Sequence, residues 1–132
     1  MPTLRDLQRL QGVHPQLVQA IVDILHRLPM FVVHGVRTAE EQHTLWLKGR
    51  PGGPPGSTIV TTKDGYTLRS NHQPRSDGRG WAVDCAWIGP DPFAASHDWS
   101  AYGTAVEAAG LIWGGRWVHL RDYPHAELPH TA

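Results

Sequence analysis

Gly80-Trp81-Ala82-Val83-Asp84-Cys85-Ala86-Trp87-Ile88 alternates with the period of a β-strand. Val83, Cys85 and Trp87 fall on one face and Ala82, Asp84 and Ala86 on the other. The first set is bulky enough to enter a core. The second holds one carboxylate between two alanines, which leaves room for a site above it. Asp122-Tyr123-Pro124-His125-Ala126-Glu127-Leu128 reads as a second strand of the same kind, with His125 and Glu127 on one face and Ala126 and Leu128 on the other. His125 can therefore face the same cavity as Asp84. Pro124 disfavours a helix here, so Asp122 is expected on a turn leading into the strand.

Working outward, Leu17, Val18, Ile21, Leu25 and Leu28 recur at helical spacing behind Pro15, which suits a first helical turn. A helix is expected over residues 15–28, with His14 at its entry and Pro29 ending it. Met30 to Val36 is a short β-branched and apolar run, read as a strand. Thr38 followed by Glu41 is a capping box that opens a second helix, running through Leu45 and Leu47 to Gly49. Pro51 to Gly56 is a loop. Ser96 to Ala109 reads as a third helix ending at Gly110, and Leu111 to Leu128 as a hairpin or paired short strands around Gly114-Gly115. Helices first, then strands mixed with one helix, predict an α+β fold with a small antiparallel sheet and flanking helices, in a single domain over residues 1–132.

Hydrophobic residues make up 40% and charged residues 18%, enough for a real core in 132 residues. Twelve basic and twelve acidic side chains cancel, which argues against nucleic acid or an anionic membrane surface as partner. The one cysteine, Cys85, has no partner for a disulfide within the chain and is read as a small buried hydrophobe. Met1 to Asp6 is polar and lacks the apolar run of a signal peptide or membrane span, so cytoplasmic synthesis without membrane insertion is expected. A monomer is the expected state.

The chemistry lies in two separated patches. Ser70-Asn71-His72 running on to Asp84, and Asp122 to Leu128, together supply two imidazoles, a ligating carboxylate and a spare one. Three nitrogen and oxygen ligands with a fourth position left to water make a catalytic zinc site, whereas closed structural sites are built mainly from thiolates. Asp122 is the candidate base, since a carboxylate beside zinc-bound water can take and relay a proton.

Gly35-Val36-Arg37-Thr38 with Glu41-Gln42, Ile59-Val60-Thr61, Ser70-Asn71-His72, Ala82-Val83-Asp84, Gly110 to Gly115 and Asp122 to Leu128 occur in an order that resembles the VanY-like zinc peptidases. More closely, they look like the L-alanyl-D-glutamate endopeptidases of phage endolysins. The resemblance runs from about Leu10 to Leu128. It implies one zinc ion on His72, Asp84 and His125, Asp122 as general base and later acid, and Arg37 as a cation facing the substrate carbonyl or carboxylate. It also implies the fold shared by D-alanyl-D-alanine peptidases and the Hedgehog signalling domain. The implied substrate is the stem peptide of bacterial peptidoglycan, with a phage or prophage enzyme released from the cytoplasm to the wall. A D-alanyl-D-alanine carboxypeptidase or dipeptidase is the alternative within this chemistry, and a zinc-bearing wall-binding module without hydrolysis the alternative outside it.

Asp84 lies twelve positions after His72, farther than the family's usual spacing, with Gln73 to Gly80 carrying the additional residues. Closure entropy grows only logarithmically with loop length, so the site can survive the insertion. Asp77 is a rival ligand, but Asp77-Gly78 is a turn dipeptide without flanking strand pattern. Ser70, Gln42 and Trp113 are candidates for touching substrate or holding a ligand in place; Trp113 and Trp117 either line a groove or pack beside the glycine pair. Glu127 is read as a strand-pairing residue or a support for a ligand. His34, His43, His97, His119 and His130 are assigned structural roles.

Overall fold

In the computed structural model, which describes residues 1–130, the expected helix after Pro15 is α2, Pro15–Arg27. His14 caps it, its Nδ1 accepting from the Gln16 amide at 3.1 Å. The apolar stripe Leu17, Ile21, Ile24 and Leu25 is fully buried. Each such side chain contributes on the order of 1.5–3 kcal/mol of transfer free energy. The chain then enters β1, Met30–His34, and a capping box between Thr38 and Glu41 starts α3, Ala39–Trp46. A long connection free of regular structure leads to β2, Ala82–Trp87, followed by α4, Trp99–Ala108. The last strands are β3, Ile112–Trp113, and β4, His125–Glu127.

The four strands form one antiparallel sheet in the order β1-β2-β4-β3, so the predicted α+β architecture is the observed one. Val32 faces Cys85, and Val83 faces Ala126. This face packs under α2 and α4, where Val83, Cys85, Trp99, Tyr102, Val106 and Ala126 join the core. Asp84, His125 and Glu127 project from the opposite face, as the alternation requires. No helix among the described residues is long and apolar enough to cross a membrane.

Three readings are sharpened by the structure. The third helix begins at Trp99, not Ser96, because Asp98 caps it by accepting from the Ala101 amide at 3.0 Å. Gly114-Gly115 opens a 3-10 turn, Gly114–Arg116, so β3 and β4 pair across a wide connection and not a tight hairpin. The N-terminal segment, read only as polar, forms α1, Leu4–Arg9, with a capping box between Thr3 and Asp6. Buried Asp6 accepts from the Val32 amide at 2.9 Å, and Arg9 donates to the Val32 carbonyl at 2.7 Å. These two side chains satisfy the outward backbone of Val32 on edge strand β1, so α1 covers an edge that would otherwise be open to pairing.

Gly103 in α4 is where close packing is tightest. A Cβ there would lie 2.3 Å from the Trp113 ring. That ring is buried and tied by its Nε1 to the Tyr123 carbonyl at 2.8 Å, so it cannot swing aside. Gly103→Ala would gain about 1 kcal/mol of helix propensity and lose about 1–3 kcal/mol to overpacking. The expected net result is a lower urea midpoint with an unchanged slope; an unchanged or higher midpoint would show that α4 can move off the indole.

Candidate metal centre and its cleft

Antiparallel register places His34 opposite Asp84, and Asp84 opposite His125, so three strands set their polar side chains abreast. His72 reaches the same row from the connection between α3 and β2. Its position is fixed on both sides: the His72 carbonyl accepts from the Arg37 amide at 2.8 Å, and Ser70 Oγ accepts from the His72 amide at 3.2 Å. One ligand-capable atom from each of His72, Asp84 and His125 lies within 4.8 Å of the others.

Hydrogen bonding decides which ring nitrogens face that point. His72 Nδ1 lies 2.9 Å from the Gly35 carbonyl, which can only accept, so Nδ1 carries the proton. Its Nε2 lone pair then points at Asp84 Oδ1, 3.3 Å away. His125 Nε2 lies 2.7 Å from Glu127 Oε1, again an acceptor, which turns Nδ1 toward Asp84 Oδ1 at 3.3 Å. Glu127 is itself held, its Oε2 accepting from Asn71 Nδ2 at 2.9 Å. Asp84 Oδ1 is buried and close to both imidazoles, yet makes a hydrogen bond with neither. Two nitrogens and a carboxylate oxygen thus stand close together with no hydrogen bond joining them, a donor set suited to zinc.

The electrostatics agree. Burial opposes charge on His125, but the carboxylates of Asp84 and Glu127 on either side outweigh it and push its pKa up to about 10. Burial likewise opposes ionisation of Asp84, and the two imidazoles hold its carboxyl well below the usual range. The cluster therefore favours positive charge at its centre.

Asp122 sits beside it on the turn before β4. Its amide donates to the Gly114 carbonyl at 3.0 Å, and its own carbonyl accepts from the His125 amide at 3.2 Å. Gly114 is required for this approach, since a Cβ there would lie 2.4 Å from the Asp122 carbonyl oxygen. Asp122 Oδ2 stays 3.7 Å from His125 Nδ1, near the cluster but outside it. Burial, and next the charge of Asp84, push the Asp122 carboxyl up to about 6.

Arg37 is buried against the same group. Its guanidinium donates to Gln42 Oε1 at 2.7 Å and approaches Asp84 Oδ2 at 3.5 Å, while its Nε has no partner among the described residues. Gln42 brackets Arg37 at the edge of the cleft: its Nε2 donates onward to the Lys63 carbonyl at 2.9 Å. Ser70 shapes the turn that carries His72, its amide donating to Gln73 Oε1 at 2.9 Å. Of the two alternatives, Trp113 takes the packing role, buried beneath Gly103 and Gly115, whereas Trp117 lines the cleft with its ring centroid 4.9 Å from that of His125. Asp77 is spent on its own turn, accepting from the Arg79 amide and from Trp81 Nε1, both at 2.9 Å.

Around this centre opens a cleft of about 910 Å³. His34, His119 and His130 line it, although the sequence reading gave all three structural roles. His34 was recoverable, since its strand register sets it opposite Asp84. His119 and His130 lie outside the strands and carry no such signal.

A polar triad with a free carboxylate beside it, on the floor of a cleft, has the chemistry of a hydrolase. A family profile described as D-alanyl-D-alanine carboxypeptidase matches residues 63–128. Among solved structures, the L-Ala D-Glu endopeptidase ChiX of Serratia marcescens is similar, with a TM-score of 0.62 and 30% sequence identity. The match covers 98% of this chain and 90% of that one. The chain belongs to the D-alanyl-D-alanine carboxypeptidase family of peptidases.

Gln42→Ala would strip partners from Arg37 and from the Lys63 carbonyl at once. A loss of about 2 kcal/mol in urea unfolding is expected, from leaving buried polar groups unpaired. A loss below about 0.5 kcal/mol would mean that water replaces both bonds.

Proposed function

We propose that this chain is a zinc-dependent peptidoglycan hydrolase that cuts the L-alanyl-D-glutamate amide of the stem peptide. The observation that carries it is the convergence of His72 Nε2, His125 Nδ1 and Asp84 within 4.8 Å, with Asp122 adjacent and not engaged as a ligand. The choice of bond leans on the 30% identity to ChiX, whose name states that specificity.

His72, Asp84 and His125 would hold the ion. Zinc bound there supplies a Lewis acid and lowers the pKa of water toward about 7. Asp122, outside the ligand set, accepts a proton from the attacking water and delivers it to the leaving amine nitrogen. Its raised pKa suits both halves of that task, since a carboxyl near 6 gives up its proton more readily than water and holds it more firmly than an ordinary carboxylate. Arg37 presents a cation from the wall beside Asp84, fixed by Gln42 so that it need not reorganise as charge grows on the carbonyl oxygen. Glu127 and Gly35 orient the two imidazoles, and an unoriented imidazole would bind metal less tightly. A lytic enzyme acting on the wall from within the producing cell is the setting this activity fits.

Zinc-loaded protein should release new L-alanine C-termini and D-glutamate N-termini from purified peptidoglycan, read by mass spectrometry. D-alanine release alone would instead indicate the carboxypeptidase. Asp122→Ala should abolish products while zinc stoichiometry stays at the wild-type level, and undiminished turnover would remove Asp122 from the mechanism. His72→Ala should lose the metal. Glu127→Gln, which keeps shape but removes charge, should weaken zinc binding about 10–100-fold; unaltered affinity in a competition titration would reduce Glu127 to a packing role.

A further inference from the structure

The cleft is electrically lopsided. Its carboxylates, Asp84, Asp122 and Glu127, lie on β2, on β4 and on the turn before β4. Lys48, Lys63 and Arg69 line it from the connection between α3 and β2, and among the described residues none of the three is ion-paired. The chain as a whole carries no net charge, and within the cleft the two signs are segregated onto different walls.

Lys63 is not on a loose arm, and the Arg69 guanidinium is steadied by donating to the Pro74 carbonyl at 3.3 Å. The Lys63 carbonyl accepts from Gln42 Nε2, and the same Gln42 holds Arg37 through its Oε1 at 2.7 Å. Gly65, two residues on, accepts from the fully buried Gln73 at 2.9 Å. Asp64 closes the turn between them, its Oδ1 accepting from the amides of Tyr66, Thr67 and Leu68 at 3.1, 2.9 and 2.8 Å. The backbone from Lys63 to Leu68 is thus fixed relative to Arg37 and, through it, to Asp84. A charge presented by a segment already ordered loses less entropy on binding than one on a flexible loop.

From this we infer that Lys63 and Arg69, on the same wall of the cleft as Lys48, read a free carboxylate on the substrate. They therefore select an anionic stem peptide over one in which that carboxylate is amidated. The inference rests on the stem-peptide reading above and names the substrate class within it. In the bond proposed, D-glutamate carries its α-carboxylate on the same carbon as the scissile nitrogen, so the group must enter the cleft when the amide reaches the cluster. A carboxamide at that position would leave the cations solvated but uncompensated.

The test uses the zinc-loaded 132-residue chain carrying Asp122→Ala and two synthetic stem peptides that differ only in carrying the D-glutamate α-carboxylate or its carboxamide. Calorimetric titration should give roughly fivefold or greater preference for the acid at low salt, shrinking as salt screens it. Adding Lys63→Gln and Arg69→Gln, with folding checked by circular dichroism, should bring the preference to about one. Equal affinity for the two peptides, a preference that survives the double substitution, or no binding of either peptide overturns the wall. Cleavage by the protein with Asp122 intact tests the bond separately. Preferred binding of the acid without cleavage would sink the bond assignment and keep the wall, while cleavage with equal binding would do the reverse.

Discussion

The register of β2 against β4 is the constraint on which the site depends. It sets Asp84 across from His125 and Val83 across from Ala126. Because side chains alternate with period two, a slip of one residue would bury the carboxylate among α2 and α4 and turn Val83 outward. The core and the site thus specify each other. Val83, Cys85 and Ala126 are fully buried, so hydrophobic burial enforces the same register that brings the polar atoms together. Fixing that register costs no dedicated interaction at the site.

Orientation is a separate problem, and the chain solves it with acceptors placed behind each imidazole. A carbonyl behind His72 and a carboxylate behind His125 leave opposite ring nitrogens facing the cluster, Nε2 in one case and Nδ1 in the other. The asymmetry follows from where each ring comes from. His72 enters from a connection and reaches inward with its distal nitrogen. His125 stands on a strand beside Asp84, so only its proximal nitrogen is near enough, and its distal one points along the strand to Glu127, two residues on. The Glu127 assignment as a support for a ligand was therefore implicit in strand alternation once His125 was placed.

Much of the fold was legible because its signals are local. Pro15, the Thr38 to Glu41 capping box and the alternation around Asp84 each follow from one short segment. What escaped depends on contacts distant in sequence. Asp6 is buried because it pairs with Val32, and nothing near Asp6 announces that, although Thr3 to Asp6 is itself a capping pattern that could have found α1. The glycine pair beside Trp113 left groove and core equally open, and only Gly103, distant in sequence, shows that its ring fills a slot in the core. Gln42 was singled out by the motif pattern, but the partners it joins, Arg37 and the Lys63 carbonyl, lie in separate segments that the pattern does not connect.

The unusual distance between His72 and Asp84 is resolved by the way the extra residues close on themselves. The Arg75 amide donates to the Arg79 carbonyl at 2.9 Å, the Gly78 amide to the Arg75 carbonyl at 2.8 Å, and Asp77 ties the turn to Trp81. Arg75 then lies over the Trp81 ring at 4.1 Å, covering the turn from outside. At its base the Trp81 amide donates to the Asn71 carbonyl at 2.7 Å, and the Gly80 amide to the Gly12 carbonyl at 3.0 Å. The chain therefore leaves beside His72 and returns to the same place before β2 begins. Residues added between two such clamped points change the length of an excursion and not the separation of the side chains at its ends, which is why sequence spacing misjudges this site while strand pattern does not.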